Sequence, residues 1–369
     1  MNFLQKNKIE KDLVLIGGGH SHLNVLMSFI KKPIPYIRIT LVSNTIDTPY
    51  SGMLPGFIEG TYSWREVNID LYKLTLMGNF RFINDDVINL SGNAKIICFK
   101  ERPSISFDFL SINCGIESNY KQIIGAKKHT IPLKPISKLN FSWLENFKKI
   151  KSIAIIGGGA AGTEVSLAIR KRLNDKSIKI KIFTGYKGLL PNFNNISKKK
   201  ITNILKKNDV KFYENEPVKK ITSTFIINDK NFKYKIDKVI LATNGIAPNW
   251  LKKTDLTLCE KGFIITNNQF QTNFENIFAA GDVTNFNNLN LQKSGVYAVK
   301  SGKILSGNIR SFILKGKLKQ YLPQKHLLAL IGLSNGQALA NKLFFSSTSK
   351  LNYKIKKLID LRFIQKYTK

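Results

Sequence analysis

Leu13-Val14-Leu15-Ile16-Gly17-Gly18-Gly19-His20-Ser21-His22 and Ile153-Ala154-Ile155-Ile156-Gly157-Gly158-Gly159-Ala160-Ala161-Gly162 decide the fold. Each reads as a short buried strand, a glycine turn and the start of a helix. Glycine permits the tight turn and the close approach of a pyrophosphate. The helix N-terminus behind it offers free N–H groups and a partial positive charge. A single glycine turn of this kind is weak evidence. Two in the same strand–turn–helix setting imply two dinucleotides on one chain. A flavin facing a nicotinamide is the commonest reason for that pairing.

Outward from the first turn, the pattern predicts a helix over 22–30 and strands at 37–42, 80–83, 95–99 and 107–113. Around the second, a strand starts near 152, a helix runs through 172, and strands follow at 178–183 and 238–243. The run 273–283 reads as another buried strand feeding a glycine turn, with its partners in the first unit. The second unit is therefore read as an insertion. The expected fold class is α/β, with two Rossmann-like dinucleotide-binding domains, the second inserted in the first, plus a C-terminal α-rich tail. The boundaries read as 1–120 and 262–320 for the first dinucleotide-binding domain, 121–261 for the inserted one and 321–369 for the tail.

The chain has 369 residues, enough for two full cores. No apolar run approaches the roughly 20 residues that span a bilayer. Residues 1–12 are polar and lack a signal-peptide core. Cys98, Cys114 and Cys259 form no Cys-x-x-Cys pair. That speaks for a reducing cytoplasm and against a disulfide scaffold or a bound metal. The net charge is +34, yet only eight of the 58 basic residues are arginine. Excess lysine with asparagine and isoleucine looks like nucleotide-composition bias, and nucleic-acid sites favour arginine for its bidentate geometry. Nucleic acid is not expected as a partner. Loose attraction to an anionic membrane surface fits the charge better than nucleic acid does, behind the composition bias.

In the first turn, Gly17 and Gly19 form the phosphate cradle. His22 holds the third glycine position, which asks for looser helix–strand packing. His20 and His22 read as side chains packed or hydrogen-bonded near phosphate rather than as bases. An acid usually ends the second strand and binds the adenosine ribose. Here Ser43 and Asn44 stand in that place and bond the hydroxyls more weakly. In the second turn the cradle is Gly157, Gly159 and Gly162. Its ribose position near Thr184-Gly185 again lacks an acid, and Lys187 lies close by, so NADPH is permitted beside NADH. Glu164 reads either as a helix-dipole carboxylate or as a catalytic group near the reactive rings. Asn276-Ile-Phe-Ala-Ala-Gly281-Asp282-Val283 puts one carboxylate at a strand's carboxyl end. There Asp282 can accept from a flavin's ribityl hydroxyls. Lys293-Ser294-Gly295-Val296 resembles a helix start whose N–H groups stabilise negative charge on a reduced flavin. Lys293 either adds charge there or is one more surface lysine.

On these residues, nearly the whole chain resembles two-dinucleotide-binding-domain flavoproteins, the pyridine nucleotide–disulfide oxidoreductase superfamily. Within it the likeness is to type II NADH dehydrogenases and sulfide:quinone reductases. It looks closer still to the NADH-dehydrogenase-like domain fused ahead of selenide, water dikinase. The stretches that carry it are 17–22, Thr48-Pro49-Tyr50-Ser51-Gly52-Met53-Leu54-Pro55-Gly56, 157–164, 278–283, 293–298 and 357–363. The resemblance implies FAD in the first unit, NAD(P)H in the inserted one, and Pro49 and Tyr50 in a loop beside the isoalloxazine. Disulfide reductases carry a redox cysteine pair near that loop; this chain has none there. Its three cysteines also do not match the pattern of sulfide oxidation. The implied enzyme is an FAD-dependent NAD(P)H oxidoreductase without a redox-active disulfide. It passes hydride from NAD(P)H to FAD and on to a quinone or other small electron acceptor. No kinase-like half is present, so selenophosphate synthesis is not expected.

Two other functions stay open from sequence. One is a soluble flavoprotein reductase of a protein or selenium-related partner. The other is a non-catalytic FAD/nucleotide-binding sensor. In the tail, Leu351, Ile355, Leu358, Ile359, Phe363 and Tyr367 approximate one apolar stripe, with Lys350, Lys354, Lys356 and Lys357 on other faces. That pattern fits a helix lying on the inner face of the cytoplasmic membrane. It fits equally a helix docked on the protein's own body, or a homodimer interface.

Overall fold

The computed structural model describes residues 8–136, 139, 150–287, 289, 291, 293, 295–324 and 326–368. Two five-stranded sheets dominate it. In the first the strand order is Ile277–Ala279, Phe109–Ile112, Lys11–Ile16, Ile37–Ser43, Arg81–Asn84, and every pairing is parallel. In the second it is Ile131–Pro132, Lys238–Leu241, Ser152–Ile156, Lys179–Phe183, Val210–Tyr213, again all parallel. The strand 277–279 returns to pair with 109–112. The second sheet therefore lies between two portions of the first in the chain.

The apolar runs are buried on both faces, as parallel strands require. Leu13 and Leu15 enter one core, Val14 and Ile16 another. Ile153 and Ile155 likewise face away from Ala154 and Ile156. Each sheet carries helices on one side. On the other lies a three-stranded antiparallel meander: Val87–Ser91, Ile96–Phe99 and Ile105–Ser106 in the first unit, and Val218–Ile221, Phe225–Asn228 and Lys233–Lys235 in the second. The duplication extends to this layer.

Helix His20–Lys31 packs along helix Gly295–Ile313 over the first sheet. Ser21 Oγ donates to Ala298 O at 2.7 Å, and a Cβ on Gly302 would fall 2.5 Å from Asn24 Nδ2.

The tail contains the expected helix, Lys350–Thr368, preceded by an antiparallel sheet of Ala329–Gly332, Ala338–Lys342 and Phe345–Ser349. Ile331, Leu333 and Leu339 of this segment join the core of the second unit, whereas Phe363, Ile364 and Tyr367 join that of the first. The tail thus clamps both units. The single apolar stripe read from the sequence divides between two faces. Phe363 and Tyr367 turn inward, while Leu351, Ile355, Leu358 and Ile359 remain exposed. At 3.6 residues per turn the pairs 351/355 and 363/367 fall on different sides. Among the described residues no helix is long and apolar enough to cross a membrane.

Candidate functional site

At the carboxyl end of the first sheet, Gly17 sits at φ +92°, its N–H donating to Val42 O at 2.7 Å. A Cβ there would lie 2.5 Å from Cys114 Cα. Helix 20–31 has no side-chain cap of its own. Asn113, ending the neighbouring strand, supplies the missing acceptor. Its Oδ1 accepts from the N–H of Ser21 at 3.1 Å and of His22 at 3.3 Å, and its Nδ2 donates to Ala280 O at 2.6 Å. The same amide fills the space over Gly19 and Gly281, where a Cβ would fall 2.3 Å and 2.4 Å from it. One side chain locks the Gly-Gly-Gly turn to the Gly-Asp turn.

His22 braces the turn from below. Its Nδ1 lies 2.7 Å from Gly17 O and its Nε2 2.8 Å from Ser111 Oγ. Burial pushes its pKa down to about 4, so the ring is neutral. Because a carbonyl only accepts, Nδ1 donates and Nε2 accepts the serine hydroxyl. His20 differs. Its ring stands edge-on to Tyr50 and Phe363, each 5.4 Å away, and burial also lowers its pKa to about 4. Among the described residues its Nε2 is buried without a partner. An unpaired buried nitrogen is costly unless something meets it, and here it sits beside the phosphate cradle.

Three distant stretches converge on this place. A Cβ on Gly295 would lie 2.9 Å from Ser51 Oγ and 3.9 Å from the His20 ring, which joins the first turn, the loop at 48–56 and helix 295–313. Pro49 is buried in that loop, and Tyr50 stacks on Phe363 with ring centroids 4.2 Å apart. Val296 is half exposed at the helix start, while Ser294 lies outside the described residues. Asp282 pairs with Lys134 at 3.2 Å. Lys293 is not a free surface lysine. Its ammonium donates to Thr284 O and sits 4.1 Å from the centroid of the Phe263 ring. Burial lowers its pKa to about 8. At the end of the second strand, Asn44 Nδ2 donates to Asp86 Oδ1 at 2.7 Å, and Ser43 Oγ accepts from the N–H of Thr45 at 3.3 Å. Asp86 thus brings a carboxylate to a position where the strand itself has none.

The second cradle has the same shape and fewer braces. Gly157, at φ +128°, would place a Cβ 2.4 Å from Ala242 O, and Gly162 would place one 2.1 Å from Gly157 O. Gly159 faces open space. Thr163 Oγ1 and Thr243 Oγ1 are buried there without partners among the described residues. Near Thr184-Gly185 an acid does approach: Glu214, just past the third strand, accepts from the N–H of Leu189 at 2.7 Å and so shapes the loop. Lys187 is exposed.

Glu164 points away from the glycine turn, into the junction with the tail. Its Oε1 accepts from the N–H of Gly332 at 2.7 Å. Burial raises its pKa to about 7, with Lys356 and that amide pulling the other way. Lys356 donates to Gly52 O at 2.6 Å and to Asp360 Oδ2 at 2.8 Å. Burial, with the Asp360 carboxylate close by, raises the pKa of the Tyr50 hydroxyl. The charges of Lys356 and Asp360 thus lie between Glu164 and Tyr50, beside the first cradle. Among the described residues no group of three or more His, Cys, Asp or Glu could hold a metal, and all three cysteines are free.

Sequence reasoning missed Asn113, Lys134 and Asp86. Asn113 leaves a faint signal, an amide closing an apolar run just before Cys114-Gly115. Lys134 leaves none among so many lysines.

Two parallel sheets, each ending in a glycine turn under a helix and facing a shared junction, define a protein of two dinucleotides. Residues 11–302 match the family model for pyridine nucleotide-disulphide oxidoreductases, and the chain belongs to that family of FAD- and NAD(P)H-binding oxidoreductases. It is 24% identical over 246 residues to the NADH dehydrogenase-like protein YutJ of Bacillus subtilis, covering 65% of this chain and 66% of that one. It is 27% identical over 296 residues to an NAD(P)H coenzyme A polysulfide/persulfide reductase of Pyrococcus horikoshii, covering 74% of this chain and 63% of that one. The chain spans about two thirds of the length of these relatives. Among solved structures, NDH2 from Plasmodium falciparum in complex with NADH superposes with a TM-score of 0.82 at 16% identity, covering 97% of both chains. The sulfide:quinone oxidoreductase of Aquifex aeolicus superposes with a TM-score of 0.81 at 17% identity, covering 97% of this chain and 91% of that one. At these identities the superpositions speak for the fold.

Proposed function

We propose that this chain is an NAD(P)H dehydrogenase that passes reducing equivalents through FAD to a quinone-like small acceptor. The observation that carries this reading is the loop at 48–56. Where a dithiol relay would need cysteines, Tyr50 stacks on Phe363 of the tail helix, with ring centroids 4.2 Å apart. Electrons then have no thiol stop and leave the flavin directly. The first cradle fits a flavin dinucleotide, because its glycine turn leads into a helix N-terminus and, among the described residues, the buried His20 Nε2 beside it has no partner. The second cradle fits the nicotinamide dinucleotide. FAD, when bound, supplies the hydride acceptor. The protein supplies position, a water-poor junction and Asp282 for the ribityl hydroxyls. In balance, NAD(P)H, one proton and a quinone give NAD(P)+ and a hydroquinone. A quinone in the name of one structurally similar protein, the sulfide:quinone oxidoreductase of Aquifex aeolicus, supports the acceptor class.

The outward face of helix 350–368, with exposed Leu351, Ile355, Leu358 and Ile359 beside Lys350, Lys354 and Arg362, suits the surface of an anionic membrane, where quinones reside. Leu358→Glu with Ile359→Glu should release the protein from anionic vesicles in co-sedimentation while leaving its FAD content unchanged.

The decisive experiment is anaerobic. NADH or NADPH should bleach the bound flavin, and a short-chain quinone should restore its colour within one turnover. A flavin that bleaches and is reoxidised by a disulfide but by no quinone would overturn the acceptor. One that never bleaches with either nucleotide would leave only a sensor.

A further inference from the structure

Lys134 stands at the meeting point of the two units. The edge strand Ile131–Pro132 belongs to the second sheet, and Lys134 emerges at its carboxyl end. Its carbonyl accepts from Ser118 Oγ at 2.7 Å, which fixes the backbone. Its ammonium crosses to Asp282 Oδ2 at 3.2 Å, beyond the carboxyl end of the first sheet. Both side chains are partly shielded, with 34% and 18% exposed. The fields of Asp282 and Lys134 both reach His20, whose buried Nε2 lacks a partner. A cation, an anion and an unsatisfied imidazole thus surround the spot where the cradle opens. The other nearby lysine, Lys293, has its ammonium committed to Thr284 O and to the Phe263 face.

We propose that Lys134 is a positioning residue for FAD: it orients and neutralises Asp282 and sets a fixed positive charge beside the flavin end of the cofactor. This rests on the FAD reading above. FAD brings two phosphate charges, and Asp282 without a counter-cation would add a third negative group to the same cavity. Lys134 removes that repulsion and holds one carboxylate oxygen, leaving the other to accept from a ribityl hydroxyl. A positive charge at this place also favours the reduced flavin, which carries more negative charge than the oxidised form. Because Lys134 rides on the second sheet's edge, the nicotinamide-binding unit itself contributes a group to the flavin site.

The test uses the full chain with Lys134→Met and Lys134→Arg, and two readouts that need no acceptor: FAD dissociation from reconstituted protein, and the flavin midpoint potential by dye equilibration. Lys134→Met should weaken FAD about tenfold. It should also cut the preference for reduced over oxidised flavin about tenfold, a fall of about 30 mV for a two-electron couple. Lys134→Arg should restore both. Unchanged affinity and potential in Lys134→Met would overturn the proposal. So would a lowered melting temperature with the potential unmoved, since a merely structural lysine does only that. If the wild-type protein takes up no FAD, the cofactor reading fails first, and the two failures are told apart.

Discussion

The two glycine cradles share a fold and differ in how they are held. Around the first, Asn113 occupies two helix N–H groups and a carbonyl of the Gly-Asp strand, and His22 bonds Gly17 O and Ser111. Around the second no side chain caps helix Ala160–Leu173, and Gly159 faces open space. A braced cradle keeps its shape and its ligand, because little ordering remains for binding to drive. An open one admits and releases. The proposed function asks for such a contrast: a resident flavin on the first sheet, and on the second a nicotinamide dinucleotide that leaves every cycle.

Breaking the brace is the largest test of that contrast. Asn113→Ala strands the Ser21 N–H and the Ala280 carbonyl in the interior, while the His22 N–H keeps Gly19 O at 2.9 Å, and at about 1–3 kcal/mol for each unpaired group it should cost about 2–6 kcal/mol in all. Denaturant titration reads the loss, and visible absorbance should show purified protein largely stripped of FAD. Retained flavin at unchanged stability would erase the distinction between the cradles. The mirror experiment is Gly162→Ala, whose methyl would meet Gly157 O at 2.1 Å. Relief of that overlap should cost about 2–3 kcal/mol. It should raise the KM for NAD(P)H several-fold in steady-state assays while FAD content stays at wild-type level.

The glycine turns were legible because their chemistry is local: a run of β-formers, a residue that tolerates positive φ, and a helix start are all neighbours in sequence. The return of 277–279 to the first sheet was legible from the buried run alone. Asn113 and Lys134 were not, since each acts on residues far along the chain and neither residue type is unusual where it stands. Asp86 escaped for a related reason. The sequence pattern puts the expected acid on the second strand, and the structure brings one to Asn44 from a neighbouring turn. The tail shows the limit of periodicity: apolar spacing identified a helix, yet which residues turn inward depends on cores contributed by both units. Glu164 reads from sequence as a dipole partner or a ring neighbour, and its bond from the Gly332 N–H depends on a C-terminal sheet not foreseen from sequence.

Acid–base behaviour separates the cradles once more. The neutral histidines of the first, with pKa values near 4, take up protons more readily when the chain unfolds. Their contribution to stability is whole above about pH 6.5 and falls away as pH drops toward 4. Glu164, on the helix of the second cradle, runs the opposite way. With its folded pKa raised to about 7, it holds its proton more tightly in the native state. The associated stability is complete below about pH 4.5 and is lost as pH climbs through 7. Glu164→Gln should remove only this second limb. The stability of wild type relative to the variant should decline by on the order of 2 kcal/mol between pH 5 and 8, measured by urea unfolding at fixed salt. Parallel curves would mean that Glu164 ionises as an ordinary carboxylate, and that Lys356 holds it charged at the junction between the second cradle and the tail.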